Sequence, residues 1–285
     1  MLKAISYLRK IKPDLIHLNS TCLFAFSIAA KILRIPVICH VREPIRPGLA
    51  GWPLRFFSKF SVNGFIGISK FDLASLGVIP KKCNSKVIYN FVEKFKIKKT
   101  FEPGLFRKKL GIADNDVVFL YLARFSKSNG WMQLIAMAEK VVEDYPQAKF
   151  VLAGATEDIH FNHSKNNIFI VPFEKEIDDY LIGSDIFVCP FVLPHFARGI
   201  IEAAAFSLPS LGNNIDGVNE LINDNVTGFL YKNKSDFYEK AVRLIKNKDL
   251  RNKLGEKAYI KAQTDFNIYN NLKETYAFYD EVVEI

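Results

Sequence analysis

The chain has 285 residues, 49% hydrophobic, 13% aromatic and 24% charged, a composition that builds a globular core and excludes a disordered, collagen-like or low-complexity polymer. At roughly 100–200 residues per domain, two domains are expected. Lys plus Arg number 39 against 30 Asp plus Glu, and the net charge of +9 favours an anionic partner: nucleotide phosphates, anionic lipid head groups and nucleic acid all fit. The longest apolar runs, 23–30 and 117–123, fall short of the ~18 residues of a membrane span. Lys3, Arg9, Lys10 and Lys12 interrupt the N-terminus, so no signal peptide is expected and the protein should stay in the cytoplasm. Cys22, Cys39, Cys83 and Cys189 form no Cys-x-x-Cys pair and read as reduced core residues.

Short apolar runs alternate with segments of helical period, the pattern of strand-helix units around parallel sheets, so an α/β protein is expected. In chain order, the first third predicts helix 2–12, strand 15–18, helix 23–33, strand 37–41 after Pro36 and strand 64–68. Helix 70–76 follows, N-capped by Ser69 and ended by Gly77, and residues 87–89 close this part. Residues 93–109 hold many lysines and Pro103-Gly104, which suits a linker. The second set is strand 117–123, helix 131–144, strand 150–153, strand 168–171, helix 176–183, strand 186–189 and helix 199–206. Strand 209–212, a helix near 218–223, strand 228–231, two basic amphipathic helices and a final helix 268–283 complete it. The expected domains are 1–95, joined by the C-terminal helix 266–285, and 96–265. The first lacks the opening strand and Gly-rich turn of a full doubly wound domain and is read as shortened.

Three segments could carry chemistry. Residues 196–209 follow a strand and enter a helix, where small Ala197 and Gly199 leave the first-turn amides open to phosphate. Glu202 would share a face with Arg198 and could accept two ribose hydroxyls, or the two could be a plain i,i+4 pair; the residues alone weigh these readings equally. Arg124 stands at the carboxyl end of a strand, where ligands bind in doubly wound sheets and an arginine can bridge a pyrophosphate. In 216–230, Gly217 permits a tight turn and Glu220 starts a short helix, as a site residue or as a cap.

In this order and spacing the segments resemble the retaining nucleotide-sugar glycosyltransferases of family 4, of GT-B fold, with two Rossmann-like domains facing one cleft. Residues 13–17, 35–38, 66–70 and 87–92 look like further landmarks of that family. The resemblance implies transfer of a sugar, with retention, from a UDP- or GDP-sugar to a glycan or lipid-linked acceptor in cell-surface polysaccharide biosynthesis. It implies no metal or cofactor, and a place at the inner face of the membrane. Glu202 matches the second glutamate of the family's Glu-x(7)-Glu signature, which holds the ribose; Arg198 and Gly199 lie at the distal phosphate; and Arg124 neutralises the leaving diphosphate. Gly217 and Glu220 match the loop lining the donor side, the backbone near Val171 and Phe173 grips the base, and Arg42 and Glu43 face the acceptor side. The chain departs from the pattern at Pro194, where the first signature glutamate belongs, and at Asn129, where a lysine belongs, with Lys127 as substitute. These departures keep a second reading open, a catalytically degenerate or shortened relative that binds without turnover.

Other signals are weaker. Glu157, Asp158, His160 and His163 read as a polar loop rather than a zinc site. Cys189 with His195 reads as a core thiol rather than a nucleophile-base pair. Residues 52–60 alternate aromatic rings with Arg55 and Lys59, which fits either an anionic bilayer surface or a core helix with solvated charges. No nucleic-acid motif accompanies the net charge.

Overall fold

The apolar runs become parallel strands and the periodic segments the helices between them. The computed structural model describes residues 1–93, 95, 105–155, 167–173 and 175–284. In chain order the elements are α1 (Leu2–Ile11), β1 (Ile16–Leu18), α2 (Phe24–Ile32), β2 (Val37–Val41), α3 (Trp52–Ser61), β3 (Gly64–Gly67), α4 (Lys70–Ala74) and β4 (Asn84–Val87). They continue with α5 (Leu105–Leu110), β5 (Val117–Leu122), α6 (Trp131–Asp144), β6 (Ala148–Ala155), β7 (Ile168–Pro172), α7 (Asp178–Ile182) and β8 (Ile186–Cys189). Last come α8 (Arg198–Ala205), β9 (Ser210–Asn213), β10 (Gly228–Tyr231), α9 (Lys234–Lys246), α10 (Lys248–Asp265) and α11 (Ile268–Val283). The chain divides into one unit of Met1–Phe91 with Asn267–Ile285 and a second of Val92–Phe266.

The first unit's sheet runs β1-β2-β3-β4, every pairing parallel. A parallel sheet is covered on both faces, so β2 is apolar nearly throughout. Val37, Cys39 and Val41 pack with Ala29 and Ala30 of α2, whereas Ile38 and Ile66 meet Phe278 and Val282 of α11. Gly64 lies where α11 crosses: a Cβ there would come within 2.7 Å of Val282 and 2.9 Å of Phe278. Beside this contact the Tyr279 hydroxyl lies 2.5 Å from His17 Nδ1, and His17 Nε2 lies 3.3 Å from His40 Nδ1. Nε2 of His40 is buried without a partner among the described residues.

The helix α3 inverts the usual arrangement. Its buried residues are Ser58 and Ser61, while Trp52, Phe56 and Phe60 are 55%, 48% and 53% exposed. The cause is close packing with α2, where the Ser27 and Ser61 hydroxyls meet at 2.7 Å in the interior. Small side chains fill that narrow space, and the rings at i, i+4 and i+8 turn outward. Segment 52–60 is thus a helix whose exposed face carries Trp52, Phe56 and Phe60, while Phe57 is half-buried.

The second unit's sheet runs β10-β9-β8-β5-β6-β7, again parallel. Its core is filled by Phe119, Phe150, Leu134, Val188, Phe229 and Phe237, among others. Of the expected linker 93–109, residues 94 and 96–104 lie outside the described residues, and 105–109 belong to the helix α5. Both Asp179 carboxylate oxygens accept from the Leu105 and Phe106 amides at 2.8 Å, and Arg107 pairs with Asp185 at 2.8 Å. No helix forms near 218–223; the segment runs as turns closed by bonds such as Val218 N–H to Ile215 C=O.

The histidine pair predicts how stability depends on pH. Burial lowers the His17 pKa, aided by the Arg42 charge; burial takes His40 from 6.5 to about 3, aided by the charges of His17 and Arg42. Both fold neutral, and the unfolded chain takes up their protons first. Their stabilisation is therefore complete above the unfolded value and is lost as pH falls below it, by about 1.4 kcal/mol per pH unit for each histidine protonated only when unfolded. The melting temperature followed by circular dichroism is expected to drop between about pH 7.5 and about pH 5. His40→Leu should flatten that slope, and an unchanged slope in the variant would contradict the assignment.

Candidate functional site

In the second sheet the strand order reverses between β5 and β8, and the crevice outside the carboxyl ends of those strands is where doubly wound sheets bind ligands. The loops leaving the two strands are tied together. The Val192 amide donates to the Ser128 carbonyl at 2.9 Å, and Asn213 Nδ2, at the end of β9, holds the β8 loop through the Phe191 carbonyl at 2.8 Å. Glycines make the approach possible. A Cβ at Gly130 (φ +70°) would lie 2.0 Å from the Pro190 carbonyl oxygen, and one at Gly154 (φ +133°) 2.0 Å from that of Ala123. Gly217 (φ +81°) packs against His195, where a Cβ would meet the carbonyl oxygen at 2.5 Å.

Arg124 leaves β5 into this crevice edge. Its carbonyl accepts from Asn129 Nδ2 at 2.9 Å and from the Tyr121 hydroxyl at 3.2 Å, so its backbone is held while its side chain is exposed. Asn129, read from sequence as a lost cation, is a brace for this loop. Lys127 is exposed on the same loop.

The helix α8 starts at Arg198, with Ala197 as its N-cap. Gly199 lets it press onto the strand ends, since a Cβ there would lie 2.5 Å from the Phe187 ring and 3.4 Å from the Leu122 carbonyl oxygen. The first-turn amides of a helix have no intrahelical acceptor and carry a partial positive charge. Arg198 Nε donates to Glu202 Oε1 at 2.7 Å, with the Glu202 side chain 24% exposed. Burial raises the Glu202 pKa, and the bond and charge of Arg198 partly offset this. Glu202 Oε2 has no hydrogen-bond partner among the described residues. Both side chains line a pocket of about 160 Å³ together with Glu93, Lys175, Asp178 and Phe206.

The remaining sequence-predicted residues are less tightly grouped. Val171 is buried in β7, and Phe173 follows it 61% exposed, with its amide bonded to the Ala155 carbonyl; neither lines the pocket. Glu220 is half-buried on the turns after Gly217. Arg42 and Glu43 are exposed in the first unit, just after β2. Cys189 is fully buried with its thiol pushed up to about 12, and His195 is stacked on Phe191 with its pKa lowered by burial, so the pair offers no nucleophile. Glu157, Asp158, His160 and His163 lie outside the described residues, and the described residues hold no group of three metal-ligating side chains.

Sequence reasoning missed Lys175, Asp178 and Glu93. They come from the start of α7 and from the segment before α5, and no local motif marks them; the sheet brings them to α8.

Residues 104–261 match the family model described as glycosyl transferases group 1. The chain is 24% identical over 303 residues to UDP-Gal:alpha-D-GlcNAc-diphosphoundecaprenol alpha-1,3-galactosyltransferase of Escherichia coli, a match covering 97% of this chain and 77% of that protein. It is 21% identical over 182 residues to N-acetyl-alpha-D-glucosaminyl L-malate synthase of Bacillus anthracis, covering 61% and 47%. Among solved structures, Anabaena HepE in complex with UDP-glucose superposes with a TM-score of 0.84 at 19% identity, covering 98% of this chain and 81% of that one. A glycosyltransferase from Rickettsia africae gives 0.81 at 19%, covering 98% and 79%. The fold is that of the GT-B glycosyltransferases, and the chain belongs to the group 1 family of glycosyl transferases.

Proposed function

We propose that the chain moves a sugar, with retention at the anomeric carbon, from a UDP-sugar to a glycan or lipid-linked acceptor during assembly of a cell-surface polysaccharide. The observation that carries this reading is the Glu202 carboxylate one turn into α8, with an open oxygen, lining a pocket beside the strand-order reversal. A carboxylate there can accept both ribose hydroxyls. The α8 amides at Arg198 and Gly199 face the distal phosphate, and Arg124, helped by Lys127, neutralises the departing diphosphate. Those cations do the work that a metal does elsewhere, so no metal or cofactor is required. The bound UDP-glucose of the Anabaena neighbour supports a uridine donor over a GDP-sugar, and the diphosphoundecaprenol acceptor in the E. coli relative's name supports a lipid-linked acceptor. The backbone after Val171 and Phe173 would meet the base, Gly217 and Glu220 the donor's far side, and Arg42 and Glu43 the acceptor. Such an acceptor places the reaction at the inner face of the membrane.

Titration calorimetry with UDP tests the donor assignment. Glu202→Ala is expected to weaken binding by about a hundredfold, since two charge-assisted bonds are lost; unchanged affinity removes the ribose role. Because burial raises the Glu202 pKa, affinity should fall on acidification at a pH above that of an ordinary glutamate, and Glu202→Gln should lose this dependence.

Arg124→Ala is expected to lower kcat by about 10²–10³ with a smaller effect on KM, and activity should survive EDTA. Nuclear magnetic resonance of the product's anomeric proton reads retention or inversion directly. Pro194, in place of a signature glutamate, favours one second reading, a donor-binding partner without turnover. UDP binding with neither transfer nor hydrolysis of any UDP-sugar would establish that reading instead.

A further inference from the structure

We propose that the outer face of α2 and α3 is a docking surface for an anionic lipid bilayer. The inference deepens the proposed function by naming the surface that would hold the chain beside a lipid-linked acceptor, but its observations lie in the first unit alone. Trp52, Phe56 and Phe60 form one exposed stripe, with Trp52 stacked on Phe56 at 5.1 Å and Phe56 on Phe60 at 6.4 Å. Leu49, in the turn before α3, is 90% exposed and extends it. On the α2 side, Phe24 stacks on Phe57 at 5.3 Å, so the aromatic layer runs across both helices.

Cations border this layer. Lys31 sits 3.5 Å over the Phe60 ring and donates to the Phe60 carbonyl, Arg55 donates to the Arg46 and Gly48 carbonyls, and Lys59 donates to the Val78 carbonyl. Their partners are backbone oxygens, and among the described residues no carboxylate pairs with them. The stripe ends at a pocket of about 130 Å³ lined by Lys31, Phe60, Asn63 and Lys82, a setting for a lipid phosphate.

The charge balance selects the occupant. Residues 1–91 and 267–285 carry 15 Lys and Arg against 7 Asp and Glu, a net +8, whereas residues 92–266 carry 24 against 23. An apolar, ring-rich face inside a cationic rim fits the boundary between anionic head groups and acyl chains. A second copy would set one positive rim against another.

Co-sedimentation with phosphatidylcholine vesicles, with and without phosphatidylglycerol, tests the proposal. The chain should pellet with the anionic vesicles, bind less in high salt, and show a blue shift of Trp52 emission that Trp52→Tyr removes. The double variant Phe56→Ser/Phe60→Ser changes exposed rings, so it should keep its circular dichroism spectrum and UDP affinity while vesicle binding falls at least about tenfold. Indifference to phosphatidylglycerol, or full binding by the double variant, overturns the proposal. A dimer in sedimentation velocity that the double variant dissolves, without vesicle binding, also overturns it and assigns the face to a second copy. UDP titration of the unaltered chain separates the two readings: UDP binding without binding to anionic vesicles sinks the docking surface alone, and vesicle binding without UDP binding sinks the donor site alone.

Discussion

The second unit depends on backbone approaching backbone at the carboxyl edge of its sheet. At Gly130 and Gly154 a single Cβ would overlap a carbonyl oxygen at 2.0 Å, and the φ angles of both lie where side chains are strained. These contacts let the loops after β5 and β8 meet and share hydrogen bonds, which fixes where Arg124 leaves its strand and where α8 begins. A phosphate site assembled from main-chain amides tolerates little displacement, because its donors are only as well placed as the turns that carry them.

Of the two readings that the sequence left open, the structure shows the ion pair, and the pair leaves room for the proposed ribose contact. Arg198 and Glu202 do form an i,i+4 pair, yet the Arg198 side chain is 56% exposed, and such a pair is worth about 0–1 kcal/mol. A diphosphate and a ribose can compete for both partners at small cost. The pair also offsets part of the burial that raises the Glu202 pKa, keeping the carboxylate available as an acceptor. Structural pairing without a ligand and recognition with one are thus compatible roles for the same two side chains.

The first unit shows a different division. Small residues let α2 and α3 meet closely at Ser27 and Ser61, Phe57 stays half-buried against Phe24 of α2, and Trp52, Phe56 and Phe60 face outward. On the opposite face of its sheet, α11 crosses at Gly64 and brings Tyr279 to the half-buried histidines. Nearly all of the net charge resides in this unit.

The sequence by itself determined the α/β class and the succession of elements, because alternation between short apolar runs and helical periods is a local signal. It also located Arg124 and the start of α8 at strand ends, since position along a strand-helix unit is local too. Only the tertiary structure decided that Arg107-Lys108-Lys109 belong to a helix, because the caps come from Asp179 and the pairing from Asp185, more than seventy residues away. It likewise decided that Asn129 braces Arg124, that residues 218–223 stay in turns, that Lys175 and Asp178 join Glu202, and which face of α3 meets solvent. In each case the deciding contact joins groups whose adjacency is set by sheet order and helix packing, and these are properties of the whole fold.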